Sequence, residues 1–124
     1  MIKIHKFTDL EVWKQAHKLT ILIYRYTESF PKTEIFGLTS QIRRAAVSIE
    51  SCIAEGFSRY HYKDRLNFYY DARGSIAEVK TQSMVSIDIH YLTEIKFKEI
   101  IEQSEKVEII LSGLIRTTEK LSRS

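Results

Sequence analysis

The sequence predicts an all-α protein, an antiparallel up-down-up-down bundle of four helices. Three observations lead there. Only four Gly and one Pro punctuate 124 residues, too few to turn many short strands. Four long segments carry apolar residues at alternating three- and four-residue steps, the spacing of a helix with one buried face. The stretches between them are short, which makes successive helices antiparallel neighbours. A chain of this length hides about two thirds of its unfolded surface. A single four-helix-bundle domain over residues 1–124 therefore needs neither disulfide nor metal to fold.

The first helix is expected over residues 8–28. It opens on Thr8-Asp9-Leu10-Glu11, a capping-box pattern in which the Thr8 hydroxyl accepts from the Glu11 amide and the Glu11 carboxylate returns to the Thr8 amide. Leu10, Trp13, His17 and Tyr24 share one face, with Val12, Ala16, Leu19 and Ile23 beside it. Phe30-Pro31 stops the element, because proline has no amide donor and keeps Phe30 out of the helical region. The second helix, residues 38–55, turns Leu38, Ile42, Ala45, Ile49 and Cys52 inward. Ala45 and Ala46 permit close backbone approach, and Gly56 stands where a left-handed C-cap is wanted.

The third helix, residues 62–91, carries Phe68, Ala72, Ser75, Val79, Gln82, Ser86 and Ile89 on its stripe. Gly74 inside it costs about 1 kcal/mol relative to Ala. With Ser75 it marks an expected close helix contact. The fourth helix, residues 94–122, is capped by Thr93. Phe97, Ile100, Ser104, Val107, Leu111, Leu114, Thr118 and Leu121 follow the seam of a left-handed bundle. Helices 3 and 4 carry stripes wider than one core requires, and helix 1 adds Trp13, Tyr24, Tyr26 and Phe30. Excess apolar surface on long helices predicts self-association, since large exposed patches are uncommon in monomers. The alternative is a thicker core with scattered surface aromatics.

Composition excludes several functions. The single Cys52 rules out an internal disulfide and a cysteine-rich zinc site, and fits a reducing, cytoplasmic setting. No apolar run approaches the length of a membrane span, and Met1 to Phe7 hold no stretch suited to a signal peptide. None of His5, His17, His61 and His90 follows a Glu by three positions or another His by four, so neither a bundle iron site nor another metal site is expected. Cys52 lies on an inward stripe, where an inert core thiol is the default. Gly56-Phe57-Ser58-Arg59 does not fit a phosphate loop. No catalytic residue, cofactor or small-molecule substrate is expected.

Two polar sets remain. Arg44, Glu55, Arg73 and Glu78 lie on the middle helices near small residues and read as an interhelical ion-pair network that fixes register. The other readings are a solvated surface and a ligand site. Arg59-Tyr60-His61-Tyr62-Lys63-Asp64-Arg65 sets three cations and two tyrosines against one acid, a pattern suited to phosphates and stacked bases. Arg43, Arg59, Lys63 and Arg65 are the candidate nucleic-acid contacts, against the alternative of a solvated helix start. A net charge of +3 is weak for a dedicated nucleic-acid binder, although repeated copies in a ring would concentrate it. From Thr93 onward six basic residues balance six acidic ones, as on a salt-laced exterior.

The middle of the chain resembles a known family. The run Phe36-Gly37-Leu38-Thr39-Ser40-Gln41-Ile42-Arg43-Arg44-Ala45-Ala46-Val47-Ser48-Ile49, followed by Ile53-Ala54-Glu55-Gly56, is similar to the signature of the 23S rRNA intervening-sequence proteins. Leu10-Glu11-Val12-Trp13, Phe30-Pro31 and Ala72-Arg73-Gly74-Ser75 with Glu78 extend the similarity over roughly residues 7 to 118. The resemblance implies a bacterial four-helix bundle assembled as a ring-shaped homopentamer, with no catalytic activity attached. A related branch, the accessory proteins of diversity-generating retroelements, pairs with a reverse transcriptase and handles nucleic acid. The family's recurring Arg falls on Arg44, its Glu before the glycine on Glu55, and its third-helix set on Arg73, Gly74, Ser75 and Glu78. This chain has Glu50 and Cys52 where the family often has Pro and Asn, which should straighten the second helix. Lys80 stands where Glu is common and reverses a charge. The functional expectation is a noncatalytic oligomeric adaptor that contacts RNA, DNA or a nucleic-acid enzyme. The alternative is a structural or protein-interaction module without nucleic acid.

Overall fold

The structure is a computed structural model and describes residues 3–124, so Met1 and Ile2 of the N-terminal segment lie outside the described residues. Every regular element among those residues is helical. A single 3-10 turn, Phe7–Asp9, precedes α1 (Glu11–Thr27). A second such turn, Lys32–Glu34, leads into α2 (Leu38–Ser58), and α3 (Tyr62–Asp88) and α4 (Glu94–Ser122) follow.

Bonds between helices fix their directions. The Thr20 hydroxyl donates to the Ala46 carbonyl at 3.2 Å, and Arg43 reaches back to Thr27. Residue numbers thus rise along α1 as they fall along α2. Ser75 donates to Ser48 across α2 and α3 at 3.0 Å, while Tyr70 meets Glu119 and Lys80 meets Glu108 across α3 and α4. Each helix packs on its sequence neighbours, α4 closes back on α1, and the backbones of diagonal helices stay farther apart. That is the antiparallel bundle the stripes predict.

The buried stripe of α1 is Val12, Ala16, Leu19 and Ile23. His17 and Tyr24, expected on the main face, point to solvent, and Leu10 and Trp13 cover the core edge. On α2 the inward set is Ile42, Ala45, Ala46, Ile49 and Ile53; on α4 it is Ile100, Val107, Leu111 and Ile115. Tyr69 and Ile76 are the large buried residues of α3, whereas Ile89, expected on its stripe, is exposed. The hydroxyls along the α3 and α4 seams are accommodated inside their own helices. Ser83, Ser86, Ser104 and Thr118 each donate to the carbonyl four residues earlier, at 2.7 Å, so no buried hydroxyl among them is left unmet.

Four local expectations are corrected. The Thr8 capping box does not form. Asp9 instead accepts from the His5 and Lys6 amides at 3.0 Å, which holds its carboxyl below the ordinary range, and α1 begins at Glu11. Gly56 is not a left-handed cap: it is buried inside α2, which runs on to Ser58, and no glycine has positive φ. A Cβ added there would lie 2.6 Å from the Tyr69 ring and 3.1 Å from Phe68 Cβ. Gly56 is therefore the close-packing glycine. Gly74 is not, for it is exposed and a Cβ would meet nothing within 4 Å. Ala45, Ala46 and Ser75 are buried. Finally, α3 stops at Asp88 rather than Tyr91. His90 takes the left-handed conformation at φ 66°, and the Tyr91 amide returns to the Ser86 carbonyl at 2.8 Å.

These two glycines separate in a melting experiment. Gly56→Ala should lower stability by about 1–3 kcal/mol, because the fully buried Tyr69 has no free space to yield. Gly74→Ala should raise it by about 0.5–1 kcal/mol through helix propensity. Denaturant midpoints of the two variants should move in opposite directions.

Candidate functional site

The corner between α2 and α3 holds the densest exposed group of cations and rings. Arg59 and His61 are both extended, so the three-residue connection makes one sharp turn outward. Arg65 braces it. Its Nε donates to the Arg59 carbonyl at 2.8 Å, and its guanidinium lies 5.2 Å from the Phe57 ring centre and 5.4 Å from that of Tyr62. Arg59 stacks over Phe68 at 4.7 Å. Tyr60 is 89% exposed and stands edge-on to His61 with ring centres 5.0 Å apart. Beside the corner, His61, Tyr62, Lys63 and Asp64 form an open groove with Leu121, Ser122 and Ser124 of about 540 Å³.

Arg59, Lys63 and Arg65 thus come together, and Arg43 does not join them. Arg43 lies 16 residues before Arg59, which just follows the end of α2, so the two are about 24 Å apart along that helix. Its Nε donates to Thr27 Oγ1 at 2.8 Å, a second nitrogen reaches the Tyr24 carbonyl at 3.3 Å, and its guanidinium covers the Tyr24 ring at 4.6 Å. Arg43 clamps α2 to the end of α1. Its donors and its stacking face are thus engaged within the chain, apart from the other three cations.

The proposed ion-pair network is not formed within the chain. Among the described residues Lys80 forms an ion pair with Glu108 at 3.3 Å, and His17 shares a hydrogen bond with Glu50 at 3.0 Å. Arg73 lies over the Tyr70 ring at 5.1 Å, and the Glu55 side chain is exposed. Arg44 and Glu78 open on the same α2–α3 groove of about 500 Å³, lined also by Gln41, Ala45, Ser48 and Gln82. They share a groove without pairing. At its edge Gln82 Oε1 is buried without a hydrogen-bond partner.

Several working contacts escaped the sequence reading. Trp13 stacks on His17 with ring centres 5.0 Å apart, and His17 binds Glu50. Gln103 donates to the Gln15 carbonyl and side chain at 2.9 and 3.0 Å, closing α4 on α1. Glu34 accepts from the Leu38 amide at 3.2 Å and from the Tyr91 hydroxyl at 2.9 Å, tying the two connections at one end of the bundle. The lysine at position 80 was the one such signal present in the sequence, as a charge departing from the family pattern; its partner is Glu108.

The chemical inventory is sparse. Among the described residues, no group of three His, Cys, Asp or Glu is placed to hold a metal. Burial pushes the Cys52 thiol up, and its near neighbour is the Ser48 hydroxyl at 3.8 Å. Tyr26, Tyr70 and Tyr91 are raised chiefly by hydrogen bonds to Glu99, Glu119 and Glu34, and Tyr69 by burial. These shifts make poorer acids at neutral pH. No described helix is long and apolar enough to cross a membrane.

Fold and site together define a four-helix bundle whose polar features are a basic aromatic corner and open grooves. The chain belongs to the 23S rRNA-intervening sequence protein family, whose model matches residues 8–113. A crystal structure of a protein of unknown function from the S23 ribosomal protein family of Bacteroides thetaiotaomicron is similar, with a TM-score of 0.75. The two are 20% identical, over 84% of this chain and 97% of that one, a likeness of fold. No curated protein matches the chain.

The raised thiol gives a direct check. Alkylation of Cys52 by iodoacetamide at mildly alkaline pH should be slower than that of a free cysteine, because only the thiolate reacts. Unfolding in denaturant should restore the ordinary rate.

Proposed function

We propose that this chain is a noncatalytic scaffold that assembles from copies of itself and serves as an adaptor for nucleic acid or a nucleic-acid enzyme in the cytoplasm. The observation that carries the reading is the α2–α3 groove. Arg44 and Glu78 are opposite charges facing one depression without pairing inside the chain. In such a layout the Arg44 of one copy meets the Glu78 of the next, and desolvated charge pairs of this kind favour one partner and one register. On α2 and just before it, Phe36 is 95% exposed and Val47 is also exposed, apolar surface that assembly would cover.

The noncatalytic part of the reading rests on particular titratable groups. A thiol raised by burial and tyrosines raised by carboxylates are poised away from catalysis at neutral pH. A ring of five copies, the stoichiometry expected from the family resemblance, would have a mass of about 73 kDa, five times 14.6 kDa. The protein-interaction alternative draws support from Arg43, a cation committed to internal packing rather than to a ligand.

A charge exchange tests the assembly. Arg44→Glu and Glu78→Arg should each shift the particle toward monomer in light scattering or native mass measurement. The double exchange should restore the native mass. A monomeric wild-type particle at micromolar concentration, or a double exchange that stays dissociated while each single variant remains folded, overturns the reading.

A further inference from the structure

The charge of the bundle is divided unequally between its ends. The segments at the end that bears the α2–α3 corner, residues 3–11, 55–65 and 116–124, hold eight Lys and Arg against five Asp and Glu. Segments 25–37 and 85–99 at the opposite end hold four against five. The excess of positive charge is therefore terminal, and it surrounds the most exposed ring of that end, Tyr60.

The corner is also preorganised. Arg59 and Arg65 are held over Phe68, Phe57 and Tyr62, and neither guanidinium is paired with a carboxylate in the chain. Their charge remains available to an anion while their positions are fixed. Tyr60 meets His61 at a near-perpendicular angle and is otherwise exposed to solvent, so its ring is accessible to a stacking partner. Lys63 lies in the adjoining groove with Asp64 as the one acid of its lining.

We propose that this corner binds single-stranded nucleic acid, with a base stacked on Tyr60 and phosphates along Arg59, Lys63 and Arg65. The proposal deepens the adaptor reading above and rests on it for its place in the assembly. The choice of a single strand follows from the ring. A base inside a duplex has its faces occupied by neighbours, whereas an unpaired base offers a face to an aromatic side chain. A duplex would engage the cations and leave the ring without an open base face to stack on, and the titration below separates the strand from an anionic lipid surface.

Titration by fluorescence anisotropy decides the matter, with labelled oligo(U) and oligo(dT) strands, the corresponding duplex, and phosphatidylserine vesicles as competitor. The single strands should bind at low salt and in preference to the duplex. Tyr60→Ala should weaken them about tenfold. Tyr60→Trp should retain affinity, and its emission should be quenched as the strand is added. Lys63→Ala should reduce the slope of log affinity against log salt by about 0.7, one lost phosphate contact. Lys98→Ala, an exposed change at the opposite end, should change nothing.

Equal binding of strand and duplex, unchanged affinity in Tyr60→Ala, displacement by vesicles in preference to free strand, or no binding at low salt each overturns the proposal. Tyr60 is so exposed that its removal leaves the fold intact, which circular dichroism verifies. Particle mass separates the two readings: an intact assembly that binds no strand removes only this inference. A monomer that binds strands through Tyr60 removes only the scaffold.

Discussion

The approach of α3 to Gly56 governs the surfaces of this molecule. With no side chain at that position, the Tyr69 ring lies directly against the α2 backbone, and Phe68 packs beside it. Two helices brought that close leave only Arg59, Tyr60 and His61 to reverse the chain between Ser58 and Tyr62. In so short a connection, braced by the Arg65 bond to the Arg59 carbonyl, Tyr60 has no inward course. The same approach sets the register seen at Ser48 and Ser75, eight residues farther back along α2. That register brings Arg44 and Glu78 to one groove. The exposed corner and the charged groove are thus two results of one internal contact.

Charged side chains divide into three kinds of work. His17–Glu50 and Lys80–Glu108 join neighbouring helices across partly exposed seams, where a pair contributes little stability but favours one alignment. Arg43 is consumed by the α1–α2 clamp. Arg59, Arg65 and Arg73 rest on aromatic faces, an arrangement that fixes a guanidinium without neutralising it. This last group distinguishes the surface from an ordinary salt-laced exterior. Arginine suits it because its flat ion stacks and still presents donors at its edge.

The architecture was legible because it depends on periodicity. Leu19, Ile49, Val79 and Val107 are fully buried within the four stripes read from spacing, and Thr93 caps α4 through the Lys96 amide. Local chemistry was less legible. Gly56 and Gly74 look alike in sequence, one near a helix end and one inside, and the close contact expected at Gly74 lies at Gly56 because close approach depends on the neighbouring helix. A capping pattern at Thr8 lost to Asp9, whose carboxylate meets two amides at once. The stop of α3 was missed because histidine rarely takes a left-handed conformation, whereas glycine does so readily. Of the candidate surface residues, Arg59, Lys63 and Arg65 are close in sequence and remain close in space. Arg43, a helix length away, shares their charge but not their place, and charge does not report distance.

The α1–α4 seam differs from the other three in one respect. The hairpins α1–α2, α2–α3 and α3–α4 each join elements adjacent along the polymer, contacts of the sort that form quickly. The bond from Gln103 to Gln15 spans 88 positions. During synthesis, the first three helices therefore emerge from the ribosome before α4, which completes their barrel-stave arrangement, has emerged. Until then, the inner flank of α1 has a companion on one side alone. Closure is consequently a late event, and the nascent polypeptide spends that interval with part of its oily interior uncovered.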